Sequence, residues 1–188
     1  FAVCPGLTLL PQALTKGTTM IRDCNGGDFG AIYEIINEAA IAYKGVIPAD
    51  RWHEPYMGED ELAREIAAGV HFRGAEASGA LAGVMGLQDR NANPGRAGAP
   101  VSLIRHAYVR SQFQRQGIGG EILRDIMGRA ERPLLVGTWA AASWAVAFYV
   151  GHGFRRVVRA EKDRLLQTYW NIPARQVATS VVLAGPGF

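Results

Sequence analysis

The chain has 188 residues, 48% of them hydrophobic and 20% charged, with a formal net charge of +3. That length and balance fit one globular domain with a core of its own, and exclude a fibrous or disordered chain. Two cysteines, Cys4 and Cys24, have neither metal-ligand spacing nor a secreted framework around them, so no metal is expected and the cytoplasm is the default compartment. Phe1 to Leu14 lacks the basic start and long apolar run of a signal peptide or membrane span, so no membrane association is expected. Met20 opens the first strand-like segment. With Met20 as the natural start, the expectation is an N-terminal leader or extension, residues 1–19, followed by a single domain, residues 20–188.

In chain order, Thr18 to Arg22 reads as a strand, and Asp28 offers an N-cap to an amphipathic helix carrying Phe29, Ile32, Tyr33, Ile36, Ala40 and Tyr43. Lys44 to Gly58 is a loop rich in aromatic side chains. Its Trp52, His53, Glu54 and Tyr56 suit either substrate recognition or plain connection. Glu59, Asp60 and Glu61 put acidic charge in the first turn of a second helix, with Leu62 and Ile66 inward and Gly69 at its end. Val70 to Ala77 and Ala80 to Gln88 flank Ser78-Gly79 as a hairpin, where Gly83 and Gly86 point to close backbone approach or bulges. Asn91 to Pro100 has the composition of a flexible loop.

Val101 to Val109 is then strand-like, Gln116 to Ala130 helical with Ile118, Ile122, Leu123, Ile126 and Met127 inward, and Pro133 to Thr138 a further strand. A strand, helix, strand unit makes a right-handed crossover between parallel strands. It leaves the helix N-terminus at the carboxyl edge of the sheet, where ligands usually bind. A helix from Ala142 to His152 ends at Gly151 or Gly153. Strand Phe154 to Arg159, a helical stretch to Trp170 and strand Val177 to Ala184 complete an α/β fold with a mixed central sheet flanked by helices.

The sharpest chemical signal is the run from Tyr108 to Gly120, a strand leading into glycines that open a helix. Glycines allow backbone N–H groups close to an anion, the helix N-terminus adds partial positive charge, and Arg115 can supply a charge-assisted contact. A tight turn that merely uses glycine would look similar. A P-loop is excluded because no G-x-x-x-x-G-K-[ST] exists. The dinucleotide fingerprint is excluded because Gly117-x-Gly119 is followed by Ile at position 122.

At these residues the sequence resembles the GNAT superfamily of acetyl-coenzyme A-dependent N-acetyltransferases. Gln114, Gly117 and Gly119 match the family's coenzyme-binding pattern. A second block, Ala145 to Phe154 with Phe148, Tyr149 and Gly153, is similar to the family's helix-to-strand block. The resemblance implies that Ala107, Tyr108 and Val109 end the strand whose backbone pairs with the pantetheine arm. It implies that Gln114, Arg115, Gln116, Gly117, Ile118, Gly119 and Gly120 hold the pyrophosphate. Where the family often has Asn this chain has Ala142-Ser143, so the polar contact falls to Ser143. Tyr149 takes the role of the acid that protonates the leaving thiolate.

A lysine-like amine, with a pKa near 10.4, is almost wholly protonated at neutral pH, so the attack needs a base. The family places one on the strand at the positions of Arg105 and Leu103; His106 is one residue off. Strict alternation turns His106 to the face opposite Arg105 unless a β-bulge re-aims it. His53 and Glu54 are the alternatives. The leading expectation is an enzyme that moves acetyl from acetyl-coenzyme A to a primary amine, with Trp52, His53, Glu54 and Tyr56 on the acceptor side. The alternative is a non-catalytic acyl-coenzyme A-binding module, favoured by the missing acid at position 105. A nucleic-acid domain built on Arg155, Arg156 and Arg159 ranks last, so no nucleic-acid partner is expected. The sequence is equally compatible with a monomer and a homodimer.

Overall fold

A computed structural model describes residues 19–188. All but the last residue of the expected leader, and Cys4 with it, lie outside the described residues. The elements run β1 (Met20–Asp23), α1 (Phe29–Ala40), α2 (Glu59–Ala67), β2 (Val70–Ala77), β3 (Ala80–Arg90), β4 (Val101–Val109), α3 (Ile118–Arg129), β5 (Leu134–Trp139), α4 (Ser143–Gly151), β6 (Arg155–Arg156), α5 (Arg159–Tyr169), α6 (Ala174–Thr179) and β7 (Ser180–Ala184). The sheet has seven strands in the order β1-β2-β3-β4-β5-β7-β6. Among the described residues only β4 and β5 pair in parallel, joined by the expected crossover helix α3.

The first helix is entered differently from the sequence expectation. Asn25, not Asp28, caps the opening turn: its side chain accepts from Gly27 N at 2.8 Å while Asp28 takes the Asn25 N–H at 2.8 Å. Asp28 is also held by both Arg22 Nη atoms at 2.8 Å, which lowers its carboxyl to about 2. The Ser78-Gly79 hairpin forms as expected, both residues having positive φ (53° and 79°). The loop 91–100 is tied down rather than free, because Asn93 donates to the Gln167 and Trp170 carbonyls and Tyr169 to that of Ala99.

Apolar side chains fill three clusters. One lies between α3, α4 and the sheet and includes Ile118, Ile122, Leu123, Tyr149 and Phe154. A second, on the face that α1 and α2 cover, includes Ile32, Ile35, Leu62, Phe72 and Val84. The third packs α5 on β4, β5 and β7 through Leu103, Leu135, Leu165 and Leu166. Helices thus cover both faces of the sheet, which leaves its middle, at the carboxyl ends of β4 and β5, as the place where a ligand can enter.

That middle is open because two strands part. β4 and β5 pair over Ser102–Ile104 and Leu134–Val136; beyond these, among the described residues, Arg105 to Val109 have no strand partner on the β5 side. On its other edge β4 carries a bulge, where His106 and Ala107 lie opposite the single residue Met85. His106 takes φ +47°, a left-handed conformation uncommon for a side-chain-bearing residue. Gly86 on β3 makes room for it, since a Cβ there would sit 3.0 Å from the Arg105 carbonyl oxygen and 2.8 Å from Val70.

Candidate active site

A cleft of about 920 Å³ runs through this parting, from the start of α3 to the aromatic side chains beneath α1. At its α3 end, Arg115 (φ +60°) and Gly117 (φ +92°) are both left-handed, so the helix begins at Ile118 rather than Gln116. The turn leaves the first α3 amides without acceptors in their own helix, facing the cleft. Among the described residues no atom lies within 4 Å of a Cβ built on Gly117, so a side chain there would enter the space an anion needs. Gly117→Val is expected to lose roughly 1–2 kcal/mol of stability to left-handed strain. It should weaken coenzyme binding by a larger factor, measured by denaturation and by coenzyme titration of the same variant.

Of the other loop residues, Gln114, Arg115, Ile118, Gly119 and Gly120 line the cleft, whereas Gln116 is exposed and turns back to donate to the Gln112 carbonyl at 2.8 Å. Gly120 has a packing role as well, because a Cβ on it would lie 2.7 Å from His152 Nε2. Arg124, one turn into α3, lines the cleft too and donates to the Gly120 carbonyl. It escaped the sequence reading because a lone arginine on an amphipathic helix resembles any solvated position. Arg110 is excluded from anion binding by its own partners, Glu34 and Glu38 at 2.9 and 3.1 Å.

Ala107, Tyr108 and Val109 line the middle of the cleft. Since Arg110 N donates to Ala82 O on β3, alternation turns the Val109 N–H and C=O toward the gap. The carbonyl is taken by Gln114 Nε2 at 3.0 Å, which leaves the Val109 N–H as a donor aimed into the cleft. Tyr149, from α4, is 4% exposed and packed on Phe148 and Phe154. Burial raises its hydroxyl well above the usual tyrosine range, so it stays protonated and able to donate at any working pH. Ser143 is exposed at the start of α4 and does not line the cleft.

The bulge brings His106 to the same face as Arg105, against the strict alternation. Its ring lies 6.0 Å from that of Phe72, and its Nε2 is 3.5 Å from Glu65 Oε2. Glu65 also pairs with Arg105 at 2.7 Å, and its carboxyl is lowered, chiefly by the hydrogen bond to His106. The position that lacks the family's acid is thus an arginine tied to a carboxylate from α2, beside a histidine that lines the cleft. Glu65 could not be found from sequence, since α2 delivers it from 41 residues away.

On the acceptor side, Tyr43, Tyr56, Tyr108 and Trp144 form one connected wall. Tyr43 stacks on Tyr56 at 6.2 Å, meets Tyr108 edge-on at 6.4 Å and lies 5.4 Å from Trp144. Of the four aromatic-loop residues expected there, only Tyr56 lines the cleft. Trp52 and His53 pack on Tyr56 at 5.5 and 6.3 Å, and Glu54 is exposed, paired with Lys44 at 2.6 Å. The structure therefore brings His106 and Tyr149 to one cleft and leaves His53 and Glu54 outside it.

Among the described residues there is no His, Cys, Asp and Glu grouping suited to a metal, and no helix long and apolar enough to cross a membrane. Residues 37–166 match the family model of the acetyltransferase (GNAT) domain. No curated protein matches the sequence. Among solved structures, the PaiA N-acetyltransferase of Thermoplasma acidophilum, in complex with coenzyme A, is similar at 16% identity and a TM-score of 0.64, over 89% of this chain and 98% of that one. A GNAT-family acetyltransferase from Staphylococcus aureus is similar at 16% identity and a TM-score of 0.61, with the same coverage. The N-acetylglutamate synthase of Neisseria gonorrhoeae, with coenzyme A and L-arginine, shares 19% identity and a TM-score of 0.53 over 90% of this chain and 33% of that one. With the domain model spanning residues 37–166 of a chain folded in this way, the protein belongs to the GNAT acetyltransferase family.

Proposed function

We propose that the protein transfers acetyl from acetyl-coenzyme A to a primary amine by direct attack. The observation that carries this reading is a single cleft that joins the anion-binding start of α3 to a protonated Tyr149 and to His106. The α3 amides with Arg115 and Arg124 hold the phosphates, and the unpaired edge of β4 receives the pantetheine arm. The Val109 N–H polarises the thioester carbonyl.

His106, with or without an intervening water, takes one proton from the ammonium and so frees the lone pair that attacks the thioester; the second N–H proton leaves to solvent as the N–C bond forms and the adduct collapses, and Glu65 holds the ring in place. As the C–S bond breaks, the Tyr149 hydroxyl gives its proton to the thiolate and is reprotonated from solvent or from the base. Proximity of amine and thioester supplies the rest of the rate.

Acetyl-coenzyme A at a hundred times its Kd is expected to stabilise the fold by about 2.7 kcal/mol, read as a rise in Tm. Release of free thiol in the presence of an amine then separates a transferase from a module that only binds the coenzyme. A Tm rise without thiol release over a broad amine panel would favour the binding module; no Tm rise at millimolar coenzyme would remove both readings.

A further inference from the structure

The lining of the cleft narrows the acceptor. Among the described residues, none of those that line it is Asp or Glu; the charged ones are Arg105, Arg115 and Arg124. Arg115 and Arg124 stand at the α3 end, which leaves Arg105 and His106 on the acceptor side. The neighbouring carboxylates, Glu61 and Glu65, line an adjoining pocket of about 430 Å³ instead, and Glu65 is already bound by Arg105.

Facing this carboxylate-free space is the wall of Tyr43, Tyr56, Tyr108 and Trp144, contributed by four separate segments of the chain. Burial pushes the Tyr43 hydroxyl up to about 12 and raises those of Tyr56 and Tyr108, so all three remain neutral. A polyamine would bring further ammonium groups beside Arg105 with no anion to meet them, at a large desolvation cost. A flat apolar body instead gains edge and face contacts with several rings at once. Tyr43 and Tyr56, nearly parallel at 6.2 Å, are too close to admit a third ring between them, so the ligand ring lies against the wall rather than within it.

We propose that the acceptor is an arylalkylamine: one primary amine, no second cation, and an aromatic ring that packs on Tyr43, Tyr56 and Trp144. This rests on the acetyl-transfer reading above. The test is calorimetric titration of the coenzyme A-saturated protein with phenethylamine, tryptamine, hexylamine and spermidine, with thiol release from acetyl-coenzyme A followed separately for each.

Both aromatic amines are expected to bind at least tenfold more tightly than hexylamine or spermidine. Tyr56→Leu should weaken them about tenfold while the affinity for coenzyme A stays the same. Spermidine or hexylamine binding as well as tryptamine would overturn the proposal, and so would an unchanged tryptamine affinity in folded Tyr56→Leu. Tight aromatic binding without thiol release would uphold the ring site and overturn acetyl transfer. Thiol release with spermidine alone would uphold transfer and overturn the ring site.

Discussion

Tyr149→Phe is expected to lower kcat by about a hundredfold, the order of a lost general acid, with the KM for acetyl-coenzyme A little changed. The substitution removes one oxygen from a side chain that α4 holds against Phe148 and Phe154, so the packing survives and the loss is chemical. Among the described residues no protein group hydrogen-bonds that hydroxyl, which leaves it free to face a sulfur, whereas a purely structural tyrosine buried this deeply would have a partner. The pH profile gives a second reading. Burial raises the hydroxyl far above its ordinary value and only the neutral form donates, so Tyr149 should add no falling limb to the rate below pH 10. Wild-type kcat in the Phe variant would make Tyr149 a packing residue.

His106→Ala should have an effect of similar size, a fall in kcat of roughly a hundredfold or more at neutral pH, together with loss of the rising limb of the pH profile. Glu65→Gln separates geometry from chemistry. It keeps the length of the side chain but removes the charge beside His106 and Arg105, so it should lower kcat by less than His106→Ala does, through loss of the group that holds the ring. Other groups also face the ring, Arg105 from its own strand and Phe72 from β2. An unaltered limb in His106→Ala would place the base elsewhere, or mean that the acceptor arrives uncharged.

Much of this was legible in the sequence, for identifiable reasons. α1 and α3 carry strong helical spacing, and the Ser78-Gly79 turn has residues that tolerate positive φ, so these elements were placed within a few residues. The end of the chain was less legible. Val177 to Ala184 reads as one apolar strand, yet Pro173 opens a short helix, α6, and β7 begins only at Ser180. The glycine loop was visible because anion binding needs particular residues close together in sequence.

The opposite end of the cleft is assembled from segments far apart in the chain, and only tertiary structure could join them. Tyr43 reads as one more apolar position of a helix, Trp144 as the same on α4, and Glu65 as a solvated charge. The bulge at His106 was legible only as an option, since nothing in a histidine announces a left-handed backbone. The space for it is provided on the neighbouring strand by Gly86.

Among the described residues, Ser102 with Leu134, Leu103 with Leu135 and Ile104 with Val136 are the ladder pairs between the β4 and β5 leaves of the sheet, which apolar clusters under α3 and α5 also tie together. A ladder fastened at one end resists spreading poorly at the other. The leaf carrying β1 to β4 and the leaf carrying β5 to β7 are therefore expected to breathe about this short seam until something bridges the open end. Acetyl-coenzyme A whose thioester carbonyl accepts from the Val109 N–H would add a rung made of ligand. Hydrogen exchange should read it directly: slower exchange at Val109 on acetyl-coenzyme A binding, and little change at Ser102, whose N–H already donates to the Pro133 carbonyl across the seam.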